Sequence, residues 1–260
     1  MSSLKKYPVA VQLYSVREEI KKIGCAEVLK KIAEIGYDAV EFAGFYGQKP
    51  KDIRKTLDDL GLKASSSHGA IPNKDNIAQI VDYAKELGYK LLITGLGPGA
   101  FADEAACKKS SDILREGALA LKGEGLMLGY HNHWWEYEKQ INGKYPIQIV
   151  MDSVPEIYAQ IDTYWVAVGG ANVPEVIRKV KNIAPVPHIK DGPIKRGEPH
   201  TAVGAGKMNW NPIMAALNEK KINWLVVELD LCATDMLAAV KKSFDYLVNS
   251  GFGQPRTRKL

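Results

Sequence analysis

Apolar, β-branched runs of about six residues alternate along the chain with amphipathic stretches of ten to twenty. This rhythm predicts successive strand–helix units feeding a parallel sheet. The predicted strands are VAVQLY ending near Tyr14, YDAVEF near Phe42, LKASSSH at His68, KLLITG at Gly95, LMLGYHNH at His133, IYAQID at Asp162, APVPHIK near Lys190 and NWLVVELD near Asp230. Eight strands close a barrel, and 260 residues give about 32 per unit, the size of a (β/α)8 domain. The expected fold is therefore α/β, a single TIM barrel over residues 1–260.

Punctuation supports this reading. AEIGYDAVEF, DDLGLKASSS, KELGYKLLI and KGEGLMLGY each place a glycine after a helical pattern and before a strand, where a left-handed residue ends a helix without Cβ strain. A first helix is expected over about Val16 to Ile35 and a last over about Asp235 to Val248, both with apolar residues three and four apart. Between Lys139 and Glu156 a short helix is inferred, the segment from Asp191 to Asn211 reads as a loop, and Gly251–Leu260 reads as a frayed or partner-contacting tail. No linker divides the chain. A doubly wound sheet would carry a Gly-rich phosphate loop after strand 1, where this chain has Tyr14-Ser15-Val16-Arg17. The turn Gly95-Leu96-Gly97-Pro98-Gly99 reads as a βα loop rather than an anion cradle.

Composition narrows the partners. With 46% hydrophobic and 25% charged residues the chain is neither disordered nor of low complexity. No apolar run approaches the ~18 residues of a membrane span, and the start MSSLKKYPVAVQLYS lacks a secretion signal, so no membrane partner is expected. Cys25, Cys107 and Cys232 are odd in number and lack CxxC spacing, which suits reduced thiols in a cytoplasmic protein. A net charge of +5 without a basic stripe admits anionic small molecules and argues against nucleic acid.

The chemistry is expected at the C-terminal ends of the strands, where side chains converge in one mouth. There stand Gln12, Glu41, His68, His131, His133, Glu136, Asp162, His188 and Glu228. Singly, each carboxylate reads equally well as an N-cap and each His as a structural residue. Converging together, the carboxylates repel unless they are protonated or bound to a cation. The set chosen on this ground is Glu136, Asp162, His188 and Glu228, one from each of strand ends 5 to 8. Three oxygens and one nitrogen suit Mn²⁺ best, with Mg²⁺, Co²⁺ and Zn²⁺ also compatible, and leave positions for substrate oxygens. Glu228, with Glu136 or its neighbour His133, is the candidate for proton transfer. Gln12, Glu41, His68, His131, Trp165 and Lys190 are candidates for substrate contacts, Lys190 being alternatively a partner for Asp191.

The segments Tyr130-His131-Asn132-His133-Trp134-Trp135-Glu136-Tyr137, Gln160-Ile161-Asp162-Thr163-Tyr164-Trp165, His188-Ile189-Lys190-Asp191-Gly192 and Val226-Val227-Glu228-Leu229-Asp230 resemble, in this order, the xylose-isomerase-like (β/α)8 proteins of the sugar phosphate isomerase/epimerase type, which share their fold with endonuclease IV. The resemblance runs from Val9 to the last helix and implies one divalent metal on the same four residues. Two departures stand out: Trp165 where related ketose 3-epimerases place a His, and His131 and His133 where they carry a first Glu. These turn the resemblance toward the dehydrating subgroup, in which a His near the metal is the base.

The expected function is a metal-dependent isomerase or epimerase acting through an enediolate on a ketose or related keto-sugar. A dehydratase or β-elimination lyase on 3-keto sugars or inososes is the alternative. From a different class come an endonuclease IV-like phosphodiesterase, for which five His are few, and a non-catalytic sugar-binding protein. A homo-oligomer is compatible with such a barrel.

Overall fold

The computed structural model describes residues 6–256. Its strands are β1 Val9–Gln12, β2 Ala39–Ala43, β3 Lys63–His68, β4 Leu91–Thr94, β5 Met127–His131, β6 Tyr158–Gln160, β7 His188–Ile189 and β8 Leu225–Val227. They form one parallel sheet in the order β6-β5-β4-β3-β2-β1-β8-β7. The two ends meet through a parallel bridge between Asp162 and His188 and a hydrogen bond from His188 N to Ile161 O at 2.8 Å. The fold is thus the expected α/β TIM barrel, with seven strands inside the segments read from the sequence and β2 running one residue past its segment, to Ala43.

Two apolar layers hold it together. A small inner cluster of Ala10, Ala39, Leu91, Ile93, Val186 and Val226 fills the barrel axis. A much larger outer layer, including Val9, Val11, Val40, Leu92 and Val227, lies between strands and helices. Successive strand side chains point to opposite faces, so two positions beyond an axis residue the chain again faces inward. Ala10 leads to Gln12, Ala39 to Glu41, Val186 to His188 and Lys190, and Val226 to Glu228 and Asp230. The apolar packing of the axis thereby aims each strand's polar terminus into the mouth.

The helices are α1 Arg17–Ile23, α2 Cys25–Ile35, α3 Pro50–Leu60, α4 Ile77–Leu87, α5 Glu104–Gly123, α6 Pro146–Ser153, α7 Thr163–Val168, α8 Val173–Val180, α9 Trp210–Ala216 and α10 Met236–Asn249. The single first helix expected over Val16–Ile35 is corrected to α1 and α2. Gly24 breaks it by adopting φ 86°, ψ 154°, a conformation outside the helical region. The inferred short helix is α6, and α10 falls one residue from its expected bounds. None of the described helices is long and apolar enough to cross a membrane. The three cysteines are free, Cys25 and Cys107 buried.

The loop between β7 and α9 is organised by Asp191. Its fully buried carboxylate accepts hydrogen bonds from Gly192 N (2.8 Å), Gly204 N (2.9 Å), Met208 N (3.1 Å) and Trp210 Nε1 (2.9 Å). Gly206 passes so close to this carboxylate that a Cβ there would overlap Asp191 Oδ1 and the Gly192 amide. Asp191→Ala leaves these donors buried without acceptors. We expect about 3 kcal/mol or more lost in urea unfolding, and a loss below about 1 kcal/mol would show that the loop is organised otherwise.

The tail expectation also needs correction up to residue 256. Tyr7 N donates to Phe252 O (2.9 Å), Gln254 N donates to Tyr7 O (2.8 Å), and Phe252 is buried. Residues 257–260 of that segment lie outside the described residues.

Candidate metal centre and substrate mouth

Four side chains from the ends of β5 to β8 converge at the floor of the mouth. They are His131, Asp162, His188 and Glu228, all buried, each offering an atom within 4.8 Å of the others'. His188 Nδ1 lies 2.8 Å from Glu228 Oε2 and 3.8 Å from Asp162 Oδ2, and His131 Nε2 lies 3.9 Å from Asp162 Oδ2. Donors about 2.1 Å from a shared ion stand roughly 3–4 Å from each other, so this spacing is that of a ligand cage. Asp162 Oδ2 makes no hydrogen bond although it is buried. Its close charged partner is the Lys190 ammonium at 3.1 Å, and two imidazoles and two carboxylates converging here are a donor set that fits a divalent cation.

The far side of each imidazole is pinned, as in metal sites where an outer partner fixes ring orientation. His188 Nε2 is 2.7 Å from Glu41 Oε1, and His131 Nδ1 is 3.2 Å from Gln160 Oε1. Burial and the nearby His188 hold His131 well below the ordinary imidazole range, so it is neutral and has a lone pair to give. Burial pushes His188 down too, but the carboxylates of Glu41 and Glu228 outweigh it and raise the group to about 10. Nδ1 of His188 thus holds either a proton shared with Glu228 or a divalent ion.

Asp162 answers the cap-or-ligand question with both oxygens. Oδ1 accepts from Trp165 N at 2.9 Å and caps α7, while Oδ2 faces the cluster. Asn132 Oδ1 accepts from Asp162 N at 3.0 Å and fixes the turn.

Glu136 stands apart from the four-residue cluster. It is fully buried, accepts from Tyr130 Oη on Oε1 and from the His133 amide on Oε2, both at 2.9 Å, and does not line the mouth. His131 occupies the place expected for it. The reason is position: His131 is the inward-facing last residue of β5, whereas Glu136 lies beyond the strand, in a turn that folds back beneath His133.

Glu41, expected at the substrate, is instead buried completely and belongs to the floor. It accepts from Gln12 Nε2 (3.0 Å), Gln160 Nε2 (2.5 Å) and Ser66 Oγ (2.5 Å), besides facing His188 and His68. Burial pushes its carboxyl up, but His188 and His68 hold it well below the usual range, so it is ionised. Lys190 pairs with Asp162, Glu228 and Asp230, all within 3.1 Å, rather than with Asp191, which points to the opposite face of the strand.

The mouth is a cavity of about 810 Å³ lined by, among others, Gln12, His68, His131, His133, Trp134, Trp135, Trp165, Glu228 and Asp230. His133 stacks on Trp135 with ring centroids 4.1 Å apart, and Gln12 Oε1, His133 Nδ1 and Trp135 Nε1 lack hydrogen-bond partners. Gln160, Asp230 and His200 carry no assigned role in the sequence reading. Burial and the Lys190 ammonium push His200 down to about 3, so it is neutral, and its Nδ1 accepts from Asp230 N at 3.1 Å. The alternation Gln160-Ile161-Asp162 and Glu228-Leu229-Asp230 is the signal that places the first two on the inner face.

A family model described as "Xylose isomerase-like TIM barrel" matches residues 29–248. No curated protein matches the chain. Among solved structures, a sugar phosphate isomerase/epimerase from Parabacteroides distasonis is 25% identical, with 95% of each chain covered and a TM-score of 0.77. A probable 3-DHS dehydratase from Bacillus anthracis is 12% identical over 94% of this chain and 99% of that one, TM-score 0.77. The IOLI protein with a zinc atom is 15% identical over 95% and 100%, TM-score 0.70. The last two likenesses concern the fold alone. Eight parallel strands, polar groups gathered at their C-terminal ends and a family match over most of the length lead to one conclusion: the chain belongs to the xylose isomerase-like TIM-barrel family.

Proposed function

We propose that the protein is a divalent-metal-dependent isomerase or epimerase that moves a proton at a carbon next to the carbonyl of an uncharged keto-sugar. The observation that carries this reading is the His131, Asp162, His188, Glu228 cage at the floor of an open, tryptophan-walled mouth. The family, and the activity named for the Parabacteroides relative, support the same class.

His131, Asp162, His188 and Glu228 would hold the divalent ion, which would supply Lewis acidity toward the carbonyl and its neighbouring hydroxyl. His133 and Glu228 line the mouth and are the groups positioned to take and return the proton. Glu136 lies behind His133, its oxygens engaged with the His133 amide and Tyr130, and positions that imidazole. Trp134, Trp135 and Trp165 offer apolar faces to a sugar ring, and the unpartnered atoms of Gln12 and Trp135 offer an acceptor and a donor to its hydroxyls. Among the described residues no Lys or Arg lines the cavity, while Glu228 and Asp230 do, and this favours a neutral sugar over a phosphorylated one. Arg17, near the rim, is committed to the carbonyls of Tyr14 and Asp230.

One observation favours β-elimination as a second reading: Glu136 is withdrawn, so a histidine and one glutamate face the substrate where a symmetrical shuttle needs two carboxylates. The test is exchange of a substrate C–H with D₂O, followed by NMR over ketoses, 3-keto glycosides and inososes. Mn²⁺-dependent incorporation, abolished by EDTA and restored by metal, is expected, and loss of water alongside exchange selects elimination. Sugar binding without exchange under any metal would sink the enzymatic reading, and cleavage of abasic DNA would replace it with a phosphodiesterase.

A further inference from the structure

Lys190 is the only lysine among the described residues that is fully buried, and its ammonium lies against two carboxylates of the cage. Nζ is 2.8 Å from Glu228 Oε2 and 3.1 Å from Asp162 Oδ2, the same two oxygens that face His188 and His131. A third carboxylate, Asp230, lies 3.0 Å away on the outer side and is partly exposed to the mouth. The Trp165 ring, 4.9 Å from Nζ, closes the remaining side.

We propose that Lys190 is a tethered cation that competes with the divalent ion for Asp162 and Glu228, and that Asp230 is the carboxylate to which its ammonium withdraws when the ion binds. The inference rests on the metal reading above and adds a built-in limit on metal affinity. Its logic is electrostatic. Three carboxylates against one ammonium leave an excess of negative charge that draws a divalent ion in. Yet a positive charge within about 3 Å of two ligand oxygens occupies their lone pairs and repels the incoming ion. Without the ion, the ammonium keeps the buried carboxylates neutralised, so the barrel mouth folds before metal arrives. With the ion, the ammonium retains one strong partner on the side open to solvent.

The test compares Mn²⁺ binding by titration calorimetry and thermal unfolding in EDTA and in Mn²⁺ for the wild type, Lys190→Met and Asp230→Asn. Lys190→Met is expected to bind Mn²⁺ about tenfold tighter or more, to melt lower than wild type in EDTA, and to gain more from added Mn²⁺. Asp230→Asn, which removes the outer carboxylate, is expected to bind Mn²⁺ about tenfold more weakly. It serves alone if Lys190→Met fails to fold without metal. A lysine that only fills space would alter melting without tightening the ion. Metal binding seen only in Lys190→Met supports the proposal in its strongest form. Equal or weaker Mn²⁺ affinity in a folded Lys190→Met, or undiminished affinity in Asp230→Asn, overturns it while leaving the metal reading intact. Absence of Mn²⁺ binding in all three proteins overturns both.

Discussion

Glu41→Ala is expected to lose about 3–5 kcal/mol of folding stability, the cost of removing one member of a buried charged network. The side chain is wholly buried, and Gln12, Ser66, His68, Gln160 and His188 all direct polar atoms at its two oxygens. Alanine leaves the donors among them facing a void, and Ser66, Gln160 and His188 are buried away from solvent. Metal affinity should fall as well, by about 10–100-fold, because the His188 ring loses the partner that orients it. The sign of the pH dependence follows from the depressed carboxyl of Glu41. Its contribution is fully present above the ordinary carboxylate value of about 4.3 and is lost as pH falls through the folded value. The gap between wild type and Glu41→Ala in urea melts should therefore be widest near neutrality and close in acid. A gap below about 1 kcal/mol at pH 7 would mean that the floor of the mouth is held by something else.

The second large effect concerns which residue completes the cage. His131→Ala should weaken Mn²⁺ by about 100-fold or more, since losing a ligand costs at least as much as losing its outer partner. Glu136→Ala should leave Mn²⁺ affinity within about threefold and instead lower turnover, because it frees the His133 amide and the Tyr130 hydroxyl that it now fixes. The pair of variants, read by calorimetry and by substrate exchange, separates binding from positioning. The reverse pattern, with Glu136→Ala losing the ion and His131→Ala keeping it, would restore the ligand set expected from the sequence.

That substitution shows where the sequence was legible. Strand number, barrel closure and the polar mouth followed from period-two alternation and from glycines between units, because those signals are local. Asp162, His188 and Glu228 converge as the sequence led one to expect because each lies on the inward phase set by an axis residue. Glu136 did not, because it lies past the end of β5, where the alternation stops and a turn decides direction. Had the phase been carried on from Gly129, whose place on β5 is the inward one, it would have selected His131. Lys190 and Asp191 illustrate the same rule, since adjacent strand residues cannot both face the axis. The division of the first helix at Gly24 was hidden for another reason. Cys25, Val28, Leu29 and Ile32 keep their three- and four-residue spacing beyond the break, so the periodicity conceals a backbone excursion that only φ reveals.

Asp162 divides its two oxygens between the start of α7 and the cage, and the amide it caps belongs to Trp165, a wall of the mouth. Under the proposed function, affinity for an ion and fit around a sugar would therefore hang from a single carboxyl group. A lineage that retunes one at this position disturbs the other, so divergence toward new substrates is easier from the tryptophans of the rim than from the residues beneath them.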